Sequence, residues 1–318
     1  MARSLREAHE LRGLKVWVCG PQQQGPWGGG NQFLSGLASE LGSRSLLANS
    51  LEEANTVLLN SHHWGVHLES LRDWRNRDAT HLIIHRIDGP LRKTRGFVKG
   101  ASTDQKIKSV ALNIADGLVF QSDWSRGRMS TKLDSVPSVT IRNAPDPRLF
   151  YEGPKRSFSN PVRICSTSWS RNRRKGFRMM RGLAAALDPE QFHLTFIGNA
   201  PTEGLEGWEV HAPLASAQLG KFLRTQDIFF APSINDPCSN SLIEAIHCGL
   251  IPVVRQSGGH PELVPQKDLQ FSNLPGALSA IQGAVSRSAR IYPNGLDTLP
   301  DVARQYLNFI EFVQKEKV

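Results

Sequence analysis

The sequence predicts an α/β protein of two domains, each a parallel sheet covered by helices. Three observations predict it. Short apolar runs alternate with amphipathic helical stretches along the chain. The alternation stops at residues 143–161, a break holding Pro145, Pro147, Gly153, Pro154 and Pro161, and then restarts. A length of 318 residues with 39% hydrophobic content supports two cores of ordinary size. Strands that alternate with helices lie parallel and are buried on both faces. The expectation is therefore two Rossmann-like domains facing a cleft.

Strands are expected at 14–18 (LKVWV), 56–60 (TVLLN), 81–86 (HLIIHR), 117–120 (GLVF) and 138–142 (SVTIR). Helical patterns fill the gaps near 30–42, 66–76, 103–114 and 124–133. After the break, strands are expected at 162–166, 192–198, 227–231 and 251–254, with helices at 176–187, 215–224, 239–248 and 274–286. A last helical stretch, 299–315, follows a Pro/Gly loop at 293–295. It carries Val302, Tyr306, Phe309, Ile310 and Val313 at helical spacing, so one face must pack on something. No repeat is present.

Composition narrows the classes. No run approaches the roughly eighteen apolar residues of a membrane span, and the start MARSLREAHELRG lacks the apolar core of a secretion signal. Four scattered cysteines without CxxC spacing read as free thiols in a reducing cytoplasm. The net charge of +9 is concentrated: residues 155–181 hold nine Lys or Arg and no acid, and Arg86 to Lys108 hold seven bases against Asp88 and Asp104. Such stretches suit phosphorylated small molecules, an anionic membrane face or nucleic acid.

The stretch NDPCSNSLIEAIHCGLIPVV, 235–254, sets Asp236 and Glu244 eight positions apart. Glu244 lies among Leu242, Ile243, Ala245 and Ile246, and a buried carboxylate needs a partner. Two readings stand. Ser241-x-x-Glu244 fits a capping box, with Gly249 just past the helix end. Alternatively, a helix starting at the carboxyl end of strand 227–231 offers free N–H groups to phosphate, with Glu244 one turn inside to accept ribose hydroxyls.

These residues resemble a known family. FFAPSINDPCSNSLIEAIHCGLIPVVRQSGGHPELV is similar to the nucleotide-sugar site of family-4 retaining glycosyltransferases, which have the GT-B fold. The family's acid-x7-acid motif falls on Asp236, where Glu is usual, and on Glu244. The resemblance implies that Glu244 binds the nucleotide ribose, that Asp236 contacts the donor sugar, and that backbone near Cys238, Ser239 and Asn240 approaches its hydroxyls and phosphate. STSWSRNRRKGF, 166–177, resembles the family's diphosphate-binding segment. Lys175 matches its Lys, while Ser170 stands where Arg is usual, leaving Arg171 or Arg173 for that role. GPWGGGNQFLSGL, 25–37, resembles the glycine-rich loop lining the phosphate side, with Gly29 and Gly30 in close approach. HLIIHRIDGP, 81–90, resembles the strand end whose His contacts the transferred sugar, here His85.

The resemblance thus implies domains at 1–154 and 155–298 and a final helix, 299–318, crossing back to the first. It implies a glycosyltransferase with catalytic Asp236, His85 and Lys175, working with retention on a nucleotide-diphosphate sugar. The acceptor is a glycan or lipid-linked hydroxyl, with peripheral membrane association at the cytoplasmic inner face and no nucleic acid partner. No cofactor and no metal are expected, because no Asp-x-Asp pair is present. Two rivals remain: a sugar-nucleotide epimerase or hydrolase of the same fold, and a basic nucleic-acid-binding protein.

Overall fold

The computed structural model describes residues 13–19, 28–64, 66–94, 96–129, 133–154, 157–201, 203–287 and 295–317. The chain start at 1–12, the glycine-rich turn before Gly28 and the Pro/Gly loop at 293–294 lie outside the described residues. The chain forms two compact units. Unit 1 comprises residues 1–22, 34–142 and 299–318; unit 2 comprises 23–33 and 143–298.

In unit 1 five parallel strands lie in the order β1 (Val16–Val18), β2 (Thr56–Asn60), β3 (Leu82–Ile87), β4 (Gly117–Phe120) and β5 (Ser138–Thr140). Leu47 bridges Val16 on the free side of β1, so the chain leaves β1 to one side and returns for β2 on the other. Every residue of β2, β3 and β4 is buried, as strands covered on both faces must be. The helices are α1 (Gly29–Ser43), whose residues up to Phe33 belong to unit 2, α2 (Leu68–Arg77), α3 (Leu91–Thr94), α4 (Phe97–Asn113) and α5 (Asp123–Met129).

In unit 2 the strands are β6 (Val162–Ser168), β7 (Phe192–Gly198), β8 (Glu209–His211), β9 (Ile228–Ala231), β10 (Ile251–Arg255) and β11 (Gln270–Phe271). They lie parallel in the order β11-β10-β9-β6-β7-β8. Renumbered within the unit this is 3-2-1-4-5-6 read from the β8 edge, the doubly wound dinucleotide-fold order. Its helices are α6 (Phe177–Ala186), α7 (Ser216–Leu223), α8 (Asn240–His247), α9 (His260–Leu263) and α10 (Leu274–Val285). Phe229, Phe230, Leu242, Ile246, Val253 and Ile281 lie in its continuous apolar core.

The division between units falls after Arg142, not after residue 154 as expected from the prolines. The reason is packing: Phe150 joins the core of unit 2, the Arg224 guanidinium bonds the Leu149 carbonyl, and it lies 4.0 Å over the Tyr151 ring. The Pro-rich stretch is thus already part of unit 2. The last helix, α11 (Leu299–Lys317), belongs to unit 1. Its Val302, Tyr306, Phe309, Ile310 and Val313 are all buried. A Cβ on Gly117 would meet Val313 at 2.8 Å, so the missing side chain lets the helix lie on the start of β4. At its other end Lys317 donates to the His81 carbonyl and stands 3.5 Å from the buried Asp116 carboxylate.

Candidate functional site

In a doubly wound sheet, ligands sit outside the carboxyl ends of the strands where the order reverses. In unit 2 that point lies between β6 and β9, so the loops after them, 169–176 and 232–239, decide the chemistry. Both are built tightly. The Asn172 side chain accepts from the Arg174 N–H at 3.0 Å and starts a single helical turn at Arg173–Lys175. Gly176 follows at φ +86°, where a Cβ would also lie 2.5 Å from the Pro232 carbonyl. Only glycine allows the two loops to approach this closely. The Ile234 N–H then bonds the Arg174 carbonyl at 2.8 Å.

The next loop closes from the far side. The Gly259 N–H donates to the Asp236 carbonyl at 2.9 Å, and a Cβ on Gly258, at φ +66°, would stand 2.2 Å from the same oxygen. Held by these contacts, Lys175 Nζ donates to Asp236 Oδ2 at 2.9 Å. Burial, the largest single influence, pushes the Asp236 carboxyl up, but the Lys175 charge and hydrogen bond, His260 and the Cys238 N–H together outweigh it, and the carboxyl titrates below its ordinary range. The pair is therefore ionised. Lys175 keeps two further N–H donors and a third of its side chain exposed (34%).

His260, the unread position of GGHPE, completes this corner. Its Nδ1 lies 3.1 Å from the Arg255 carbonyl, which can only accept, so Nδ1 carries the proton. Its Nε2 then accepts from Ser233 Oγ at 3.2 Å. Burial lowers its pKa and keeps the ring neutral. The signal for it was present, since a His between the glycines and the helix start is conspicuous, but nothing in the sequence brings it to Ser233.

The helix α8 begins where expected, yet its cap differs. Ser239, not Ser241, is the N-cap residue, and neither makes a side-chain cap bond; their hydroxyls pair with each other at 3.2 Å. Ser241 lies inside the helix, so the capping box is not formed. Glu244 is half-buried one turn in, and no donor reaches its carboxylate among the described residues. Burial pushes its pKa up to about 8. It is a carboxyl group without a partner among the described residues, near the switch point.

Cys238 and Ser239 are buried at the helix start. Asn240 accepts from Asn143 Nδ2 at 2.9 Å, and a Cβ on Gly29 would collide with Asn240 at 2.5 Å. Gly28 meets the Trp169 ring at 3.1 Å in the same way, whereas Gly30 faces open space. Thus Lys175, Asp236, Cys238, Ser239, Asn240, Glu244 and Gly29 gather in unit 2. Arg171 and Arg173 are exposed and pair with no described acid. His85 lies in unit 1, wholly buried in β3. Its Nε2 bonds the Ser61 carbonyl at 2.7 Å, and burial lowers its pKa to about 4, leaving a neutral ring. No cluster of three His, Cys, Asp or Glu suited to a metal occurs among the described residues.

Residues 161–286, which contain Lys175, Asp236 and Glu244, match the model of the family Glycosyl transferases group 1. A glycogen synthase of Deinococcus deserti is 33% identical over 109 residues, 32% of this chain. That stretch spans about a quarter (24%) of the relative's own length. Among solved structures, sucrose-phosphate synthase from Thermosynechococcus elongatus superposes with TM-score 0.67 at 13% identity, covering 95% of this chain and 97% of that one. Anabaena HepE, in complex with UDP-glucose, superposes with TM-score 0.65 at 12% identity, over 96% and 98%. At such identities the likeness is one of fold, and the fold is GT-B.

Proposed function

We propose that this chain moves a sugar from a nucleoside-diphosphate sugar to an acceptor hydroxyl, with retention of configuration and without a bound metal. The observation that carries it is the Lys175–Asp236 pair, 2.9 Å apart at the point where the unit 2 sheet reverses. Breaking the bond from the sugar to the diphosphate builds negative charge on the leaving group. Positive groups already aimed there lower the barrier. Lys175 offers its two remaining donors, and the backbone amides at 238–240 add the positive end of α8. Asp236, fixed by its own ion pair, takes the sugar hydroxyls. Glu244 takes the ribose. His85 acts on the sugar side through the Ser61 carbonyl that it holds.

The acceptor class is a glycan or lipid-linked hydroxyl. The basic stretches suit the inner face of a membrane, where the four buried free cysteines also find a reducing compartment. No helix among the described residues is long and apolar enough to cross a membrane. UDP-glucose, the ligand of the HepE complex, is the first donor to test. Incubation with a panel of nucleotide sugars in excess chelator should release nucleoside diphosphate and transfer sugar. Lys175→Ala should cut turnover by about 10²–10³-fold. Activity abolished by chelator and restored by Mg²⁺ sinks the metal-free mechanism; epimerised donor without transfer favours the epimerase.

A further inference from the structure

The His260 ring, at the start of α9, is a titratable group with no exposed surface, and both of its nitrogens are used. Nδ1–H donates to the Arg255 carbonyl at the end of β10, 3.1 Å away. That bond fixes the tautomer and the direction of the ring, so Nε2 is left as an acceptor. Nε2 takes the hydroxyl of Ser233, at 3.2 Å and 27 residues earlier in the chain. Ser233 is buried too, just beyond β9. The ring therefore ties the loop after β10 to the turn after β9.

That turn needs holding. Asn235 sits at φ +57°, in the left-handed region that residues other than glycine rarely adopt. Such backbone persists only where its surroundings over-determine it. Here four successive residues are anchored. His260 takes Ser233 Oγ, and the Ile234 N–H bonds the Arg174 carbonyl at 2.8 Å, beside Lys175. Ser257 Oγ accepts from the Asn235 N–H at 3.0 Å, and the Gly259 N–H donates to the Asp236 carbonyl at 2.9 Å. The last of the four carries the carboxylate that meets Lys175 Nζ at 2.9 Å. Burial is the main influence on the His260 pKa and lowers it, while Asp236 and Lys175 are near enough to act on it in opposite directions. The neutral ring leaves the carboxylate to Lys175, whereas a cation at this place would compete for it.

We propose that His260 is a positioning residue: through the Ser233 hydroxyl it locks the turn 233–236 and so aims the Asp236 carboxylate. Its bearing on turnover rests on the glycosyl-transfer reading, but the positioning of the ion pair does not. The two ring nitrogens can be tested apart with amides. Asparagine places an N–H donor where Nδ1 lies and keeps the Arg255 bond, but it is too short to reach Ser233. Glutamine reaches as far as Nε2, and its carbonyl accepts from Ser233 Oγ.

Acetylation of Lys175 by acetic anhydride, followed on the full chain by peptide mass spectrometry, reports the ion pair without any assay of transfer. Asp236→Asn, in which Lys175 has lost its partner charge, sets the upper limit. His260→Asn and Ser233→Ala should each raise the Lys175 labelling rate by about threefold towards that limit. Combined, they should do no more than either alone, because both remove the same contact. His260→Gln should label as the wild type does. In turnover, His260→Asn and Ser233→Ala should cost about tenfold in kcat with UDP affinity unchanged, and His260→Gln should restore it. Unchanged labelling in folded His260→Asn and Ser233→Ala overturns the proposal, as do effects of the two that add, or a His260→Gln that labels like His260→Asn. If His260→Asn does not fold, Ser233→Ala, which removes one hydroxyl and leaves the ring in place, decides alone. Labelling that responds as expected in a chain that turns over no nucleotide sugar supports the positioning role and counts only against the transfer reading.

Discussion

Glu244→Gln separates a ligand-binding carboxyl from a structural one. An unpartnered Glu held to about 8 from an ordinary 4.5 costs the folded state stability as pH rises. The sign follows from proton counts: between these values the folded chain holds a proton that the unfolded chain has lost, so stability falls with rising pH. At about 1.4 kcal/mol per pH unit the full cost above pH 8 is roughly 5 kcal/mol, and water reaching a half-buried side chain reduces it. Glutamine keeps the shape without the charge. The variant should match the wild type near pH 4.5. Near pH 8.5 it should be more stable by about 2–5 kcal/mol, or roughly 5–15 °C in Tm.

Binding supplies the other half. If ribose hydroxyls donate to the ionised carboxylate, UDP binding expels the proton, and wild-type affinity should rise up to tenfold per pH unit on approaching pH 8, then level off. In Glu244→Gln the affinity should be weaker by about 1–3 kcal/mol and flat with pH. Urea unfolding at the two pH values and calorimetric UDP titration from pH 7 to 9 measure both. Equal stability at both pH values means the carboxyl is not isolated, and equal UDP affinity ends the ribose assignment.

Asp236→Asn should lower turnover far more than UDP affinity, read from kcat against calorimetric Kd; parallel losses would place Asp236 at the diphosphate instead. His85→Ala should likewise spare UDP affinity, and because burial holds the ring neutral above about pH 4, no His85 titration should shape the rate between pH 6 and 8. Deleting 299–318 removes the five buried side chains from Val302 to Val313 and uncovers Gly117, so unit 1 should melt well below the full chain. A truncated chain with an unchanged Tm contradicts that packing.

The fold was legible because the strands are buried on both faces. A run such as TVLLN has no solvent side to interrupt it, and FHLTFIG is exposed only at His193 near its start; they coincide with β2 and β7 to the residue. What escaped was short or exposed: β8 is exposed along its length, and β11 has two residues, so neither carries an apolar run. The glycines were legible as glycines only. Gly176 and Gly258 are required by what lies opposite, Pro232 and the Asp236 carbonyl, from strands far away in sequence.

The site divides along the same line. Spacing within one helix fixes Asp236 before α8 and Glu244 one turn inside it, so that much can be read locally. Whether Glu244 is capped depends on which serine begins the helix, and the two candidates, Ser239 and Ser241, differ by only two residues. Asp88 is harder still. Its neighbours in sequence read as a strand end followed by a turn. Its surroundings are set by Gln121, 33 residues away, which donates to it, and by Asn60, which holds the Arg86 that also donates to it, and these come together only when β2, β3 and β4 align. A carboxylate that is locked on one oxygen and open on the other is a property of three strands at once. Substituting Gln121 should therefore loosen Asp88 without unseating Arg86, which keeps Asn60 as its partner, so Gln121→Ala should lower the Tm less than Asn60→Ala does.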